Sequence, residues 1–143
     1  MKKITVSMLM LFSIITSAQK LEKDIFHIPG HENVEEYIGY NHAVKVGKTV
    51  YISGTVNGMT DDMESQLKAI YQRLNETLEN YGITTENVVK EVIYTTNLDE
   101  FKTHILLRKE FYKGNYPTAT WVQVDRLFIP KLTVEIELVA VLP

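Results

Sequence analysis

The chain contains no cysteine, so disulfide staples, thiolate nucleophiles and thiolate zinc sites are excluded at once. Proline is sparse at 4 in 143 residues and glycine stands at 7, which excludes collagen-like and Pro/Gly-rich disordered classes. No block of like charge occurs and the formal net charge is −3. The electrostatic footprint of a nucleic-acid binder is therefore missing, and no nucleic-acid partner is expected. No apolar run reaches the roughly 18 residues that a spanning helix requires, so no stable membrane anchor is expected either.

What is present suits one folded domain with appendages. The apolar share is 45%, enough for a core in a chain of this size. Met1, Lys2 and Lys3 form a basic start. Ile4 to Ile15 is an uncharged, mostly apolar stretch, and Thr16, Ser17 and Ala18 supply small residues ahead of Gln19. That three-part pattern predicts a signal peptide over 1–18, cleaved after Ala18, and hence a periplasmic or secreted protein. Cleavage removes Lys2 and Lys3 and makes the mature chain more acidic. Residues 19–38 are polar, broken by Pro29 and Gly30, and read as a lead-in with a short strand near Ile25–His27. Residues 39–143 read as the domain.

Within that domain His42 to Val46 alternates, Gly47 and Lys48 turn, and Thr49 to Ser53 alternates again, which predicts a β-hairpin. Thr60, Asp61 and Asp62 offer caps for a helix. Met63, Leu67, Ile70, Tyr71, Leu74, Leu78 and Tyr81 then recur at helical spacing until Gly82. Val88 to Thr96 predicts a strand. Asn97 and Asp99 can cap a second helix, with Phe101, Ile105, Arg108 and Tyr112 along one stripe. Thr118–Val124 and Leu132–Leu142 close the order as two more strands. The expected class is α+β, a mixed sheet with two helices on one face. The other face of the sheet then has to bury itself, and oligomerisation is the natural route.

The last strand carries the most chemistry. Val134, Ile136 and Leu138 share one face, and Glu135 and Glu137 share the other. A carboxylate on a largely buried strand needs water, a partner or a task. It is either a half-wet surface group or a carboxylate set in a cleft with its pKa open to tuning.

The residues around it resemble one family. Tyr40 to Gly54, Val88 to Lys90, Asn97 to Phe101, Pro117 to Thr120, then Val124, Leu127, Pro130 and the Val134–Val141 strand stand in the order of the RidA family, also called YjgF. The resemblance runs over roughly a hundred residues, from about Gly39 to Val141. It implies a chorismate-mutase-like α+β fold, a homotrimer, and ligand clefts between subunits. The best-known members hydrolyse reactive enamines and imines of amino acids to keto acids and ammonia. By this resemblance Glu135 holds the attacking water as the catalytic residue, and Tyr40 lies in the cleft.

Two departures stand out. Ala119 occupies the position where the deaminases carry an Arg that grips the substrate carboxylate, a bidentate task that Ala cannot perform. Ile105 stands where those enzymes often have Asn. The substrate-binding set expected here is Tyr40, Ser53, Gly54, Ala119 and Thr120, with Gly54 letting a ligand approach the backbone or simply ending its strand. Arg126 or Arg108 is the candidate replacement for the lost guanidinium. Glu137 reads as an ion-pair partner for Lys45, Lys90 or Arg126. His42 reads as a surface-strand histidine or a proton shuttle near neutral pH. His27, His31 and Glu35 invite a metal, but Pro29 and Gly30 defeat a helical spacing, so no metal and no cofactor is expected. Asn75, Glu76 and Thr77 match a glycosylation sequon in mid-helix, a chance occurrence.

Three functions are open on this reading. The first is a small-molecule-binding trimer that hydrolyses an imine or enamine through water on Glu135, with a substrate not anchored by a carboxylate and little 2-aminoacrylate deaminase activity. The second is a true 2-iminoacid deaminase that grips the carboxylate by other means. The third is a scaffold or partner-binding trimer without chemistry.

Overall fold

In a computed structural model the described residues are 20–58 and 62–143. The signal peptide of 1–18, its cleavage site, and the capping roles of Thr60 and Asp61 lie outside them.

Six strands form one sheet in the order β1-β2-β3-β6-β4-β5. They are β1 (Asp24–Phe26), β2 (Ala43–Val46), β3 (Thr49–Thr55), β4 (Val88–Thr95), β5 (Thr118–Gln123) and β6 (Val134–Val141). Neighbours are antiparallel except β4 and β5, which run parallel. A parallel pair needs a crossover, and the helical stretch after β4 supplies it. The expected α+β class and mixed sheet are present.

The helices are α1 (Glu32–Ile38), α2 (Met63–Asn80), α3 (Leu98–Thr103) and α4 (Ile105–Tyr112). Asp62 caps α2 by accepting from the Ser65 amide at 2.8 Å. The apolar stripe of α2 is buried as its spacing requires, with Met63, Leu67, Ile70, Leu74 and Leu78 at or below 1% exposure. Asn97 caps α3, its side chain accepting from the Glu100 amide. The second predicted helix is broken at His104 into α3 and α4, which still present Phe101 and Tyr112 to the same core.

The stretch read as a lead-in carries structure of its own. The strand expected near Ile25 is β1, which pairs with β2 and so extends the sheet. Pro29 and Gly30 form a turn that launches α1 rather than a break in order. Gly39, at φ 88°, ends α1 in the left-handed conformation that glycine adopts without strain.

On β6 Val134, Ile136, Leu138 and Ala140 face the helices and are buried. Glu135 and Glu137 face the opposite side, directly across from Tyr94 and Val92 of β4. Tyr51 stands across from Val139 on that same face and is half exposed. No helix among the described residues is long and apolar enough to cross a membrane.

Candidate active site

The register between β3 and β6 slips by one residue. Ile52 lies opposite Leu138, and Thr55 lies opposite Ile136, so Ser53 and Gly54 share one partner, Glu137. Such a bulge re-aims side chains and opens the ladder locally. Glu135, two residues before Glu137, folds its carboxylate onto the backbone of Gly54. A Cβ placed on Gly54 would collide with Glu135 Oε1 and come within 2.7 Å of its Cδ. Only glycine leaves room for the carboxylate at this point.

Beside this contact lies a cavity of about 500 Å3. Glu135, Ser53, Gly54, Tyr40 and His42 line it, with Thr55, Val56, Gly58 and Arg73. Its apolar wall comes from Ile28, Val34, Ile38, Phe128, Ile129 and Leu132, and His31 closes the rim. The Glu135 carboxylate makes no hydrogen bond or ion pair among the described residues. Burial raises its pKa above the ordinary value of 4.5, and the nearby Glu137 carboxylate raises it further. A carboxylate tuned upward in a semi-dry cavity is equipped to take a proton from water.

Tyr40 follows the Gly39 cap, and its amide donates to the Glu35 carbonyl. Burial raises the pKa of its phenol, with Glu35 and Glu135 adding to the effect and Arg73 opposing it. It therefore stays a neutral hydrogen-bond donor at physiological pH. The Ser53 hydroxyl donates to the Asn41 carbonyl at 2.7 Å, which leaves its lone pairs for a ligand donor.

The expected site divides in two. Glu135, Tyr40, Ser53 and Gly54 come together. Ala119 and Thr120 do not join them within the protomer, because β5 is the far edge strand, separated from β3 by β6 and β4. Both are exposed there, and Thr120 accepts from Lys90 Nζ at 3.0 Å. Ile105 is half-buried against the core.

Several expectations are corrected. Arg108 is no spare guanidinium: its Nε donates to Glu91 at 2.6 Å, and Tyr112, Tyr116 and Trp121 surround it. Glu91 is fully buried and also accepts from the Tyr112 hydroxyl at 2.9 Å. Removing one partner of such a pair costs about 3–5 kcal/mol, so Arg108 is held where it is. Arg126 is exposed on the loop before β6 and does not line the cavity of its own protomer. Glu137 pairs with none of its expected partners among the described residues. Lys45 is taken by Asp24 across the β1–β2 register, and Lys90 reaches Thr120.

His42 is neither on the surface nor a shuttle near neutral pH. It is 1% exposed, and burial drives its pKa down to about 4. The Thr77 hydroxyl donates to the Arg73 carbonyl, so its oxygen accepts from His42 Nε2 at 2.8 Å and fixes the tautomer. His27 and Glu35 do meet, at 2.7 Å, but the Glu35 oxygens also accept from the amides of Ile28 and His42. That carboxylate ties α1 to the sheet. Among the described residues no group of three ligating side chains is placed to hold a metal.

Sequence reasoning missed Arg73 and the apolar wall. Thr77, a polar residue at a stripe position of α2, signalled a buried polar partner, which is His42; no such signal marked Arg73.

Comparison with known proteins places this geometry. The family model described as Endoribonuclease L-PSP matches residues 31–142. A human 2-iminobutanoate/2-iminopropanoate deaminase is 34% identical over 112 residues, covering 71% of this chain and 79% of that protein. A solved YjgF-family structure from Mycobacterium tuberculosis superposes with a TM-score of 0.76 at 27% identity, covering 85% of this chain and all of the other. The structure of Escherichia coli TdcF with bound serine superposes at 0.67 with 26% identity, covering 73% of this chain and 88% of that one. The chain belongs to the RidA (YjgF) family.

Proposed function

We propose that this protein is a hydrolase of imines or enamines derived from amino acids, with Glu135 holding and activating the water. The observation that carries the reading is the desolvated Glu135 carboxylate, laid on Gly54 inside a cavity shared with Tyr40 and Ser53. Its chemistry balances without a cofactor. Glu135 takes a proton from water as oxygen adds to the C=N carbon. Glu135 returns that proton to nitrogen, giving the neutral carbinolamine. It then relays the hydroxyl proton to the same nitrogen as the C–N bond breaks, so ammonia leaves, a carbonyl compound remains and Glu135 is again a carboxylate. An enamine enters this sequence after tautomerising to its imine. Tyr40 donates a hydrogen bond to the substrate, and Ser53 accepts one. The deaminase names of the relatives support the same reaction class.

The active form is proposed to be a homotrimer. Tyr51, Val139, Val92 and Tyr94 lie on the sheet face without helices, and a closed ring would cover them. In that ring the β5 edge of one subunit, with Ala119 and Thr120, completes the cleft of the next. Residues 1–18 are proposed to direct the chain to the periplasm or beyond. An RNA-cleaving role finds no support in a chain of net charge −3.

The test is release of ammonia and keto acid from imino acids generated freshly by an amino-acid oxidase. The natural protein should accelerate release, and Glu135→Gln should slow it by about 10²–10⁴-fold. Release no faster than in buffer overturns the hydrolase reading.

A further inference from the structure

The cavity contains one guanidinium among the described residues, that of Arg73. Its Nη1 donates to the Val56 carbonyl at 3.2 Å, and no carboxylate pairs with it among the described residues. The remaining donors of the fork are available to a ligand. A half-buried arginine without an acidic partner, fixed by one backbone bond and lining a cavity, is equipped for a bidentate anion.

Its position relative to Glu135 is the informative part. Glu135 lies on Gly54 and Arg73 is held by Val56, two residues further along the same segment. Two residues of chain span at most about 7 Å. The two opposite charges share the cavity yet do not form an ion pair. Tyr40 lines the same cavity as both of them. A ligand that bridges this gap has an anionic end on Arg73 and an electrophilic carbon near the Glu135 water. The rest of the cavity is apolar, walled by Ile38, Phe128 and Ile129. Within the protomer a three- or four-carbon acid would leave most of about 500 Å3 for a larger side chain and for the neighbour's β5 edge.

We infer that Arg73, from the same protomer as Glu135, anchors the carboxylate of a 2-imino or 2-enamino acid whose large apolar side chain lies against Ile38, Phe128 and Ile129. Arg73 thus takes over the grip that Ala119 cannot supply, and it replaces the expectation that the substrate lacks a carboxylate anchor. This assignment rests on the hydrolase reading for the word substrate, and its test separates the two.

The full chain is titrated by calorimetry with phenylpyruvate, with its uncharged analogue phenylacetone, and with pyruvate. Phenylpyruvate should bind most tightly. Arg73→Gln should weaken phenylpyruvate about ten- to hundredfold and leave phenylacetone unchanged. Arg73→Lys keeps a charge and a donor for Val56 but lacks the fork, so it should fall between. Turnover of the imino acids from phenylalanine and alanine is measured on the same proteins, where Arg73→Gln should raise KM far more than it lowers kcat. Phenylpyruvate binding that depends on Arg73 without turnover upholds the anchor and overturns the hydrolase. Turnover with phenylpyruvate affinity unchanged in both Arg73 variants upholds the hydrolase and overturns the anchor. Equal loss of phenylpyruvate and phenylacetone binding shows a merely structural role for Arg73 and overturns the anchor too. Absence of both binding and turnover in the natural protein overturns both.

Discussion

Gly54→Ala isolates the contact on which the proposed mechanism depends. Gly54 does not adopt a left-handed conformation, so its backbone accepts alanine without strain. The new methyl would nevertheless occupy space held by Glu135, whose Cδ and Cγ would lie 2.7 and 2.9 Å away. Ordinary carbon contacts need about 3.5 Å or more, so the carboxylate must retreat by about an ångström. Glu135 is only half-buried, and its flexible stem can swing outward cheaply. The folding cost of overpacking, about 1–3 kcal/mol in a rigid core, is therefore largely relieved. It is offset further by about 0.4–1 kcal/mol from the stiffer unfolded chain. Catalysis has no such relief. Displacing a reacting group by about 1 Å costs on the order of a hundredfold in rate, or about 2.7 kcal/mol of barrier. The expected result is imino-acid hydrolysis slowed about a hundredfold at a nearly unchanged unfolding midpoint. In the Glu135→Gln background the same change should cost nothing further, because the group it displaces has already lost its function. Full activity in Gly54→Ala, or an equal loss in both backgrounds, would refute the placement of the water on Glu135.

The same geometry sets other measurable outcomes. The raised pKa of Glu135 shifts the acidic limb of the rate profile above the ordinary carboxylate value of 4.5. The raised folded-state pKa also makes the charged form a liability for stability, lost as pH rises, so Glu135→Gln should raise the melting temperature more at pH 8 than at pH 4. His42 has a depressed pKa, about 4 against an ordinary 6.5, so the unfolded chain binds the extra proton between those values. Stability present above pH 6.5 should fall by about 3 kcal/mol as pH drops to 4, a urea-midpoint shift that His42→Gln should abolish. Light scattering should report about three times the protomer mass, and Val139→Arg should yield a monomer; a natural protein that stays monomeric at micromolar concentration contradicts the ring. Intact mass of the natural product should match a chain beginning at Gln19, and retention of Met1 would contradict export.

The fold was legible where one element could be read alone. The α2 stripe repeats at helical spacing from Met63 to Leu78 without a break, and the Glu135/Glu137 alternation names the two faces of β6 without reference to any partner. Asn97 announces a helix start by its chemistry. The break at His104 was not legible, since Phe101, Ile105, Arg108 and Tyr112 keep helical spacing across it. Helix α1 was hidden because Pro29 and Gly30 mark a turn equally well before a helix, a strand or a loop.

The site was legible by type and illegible by neighbour. Glu135, Tyr40 and Ser53 have the chemistry a hydrolase needs, and the family order placed them together. Whether Arg108 was available depended on Glu91, on a strand whose side-chain phase is set by pairing with β6. His42 looked titratable because its burial comes from Thr77 and Phe26, distant in the chain and brought there by packing. Gly54 stayed open between ligand approach and strand end because the carboxylate laid on it comes from β6 and is visible only once the register slips at Ser53. Each error therefore concerns a charge whose partner is set by strand register or helix docking. The side chain declares what it can do, and the partner decides whether it is free to do it. Glu91 removes Arg108 from chemistry by pairing it. The absence of an acidic partner among the described residues leaves Arg73, the residue that composition made least conspicuous, as the guanidinium available to a carboxylate.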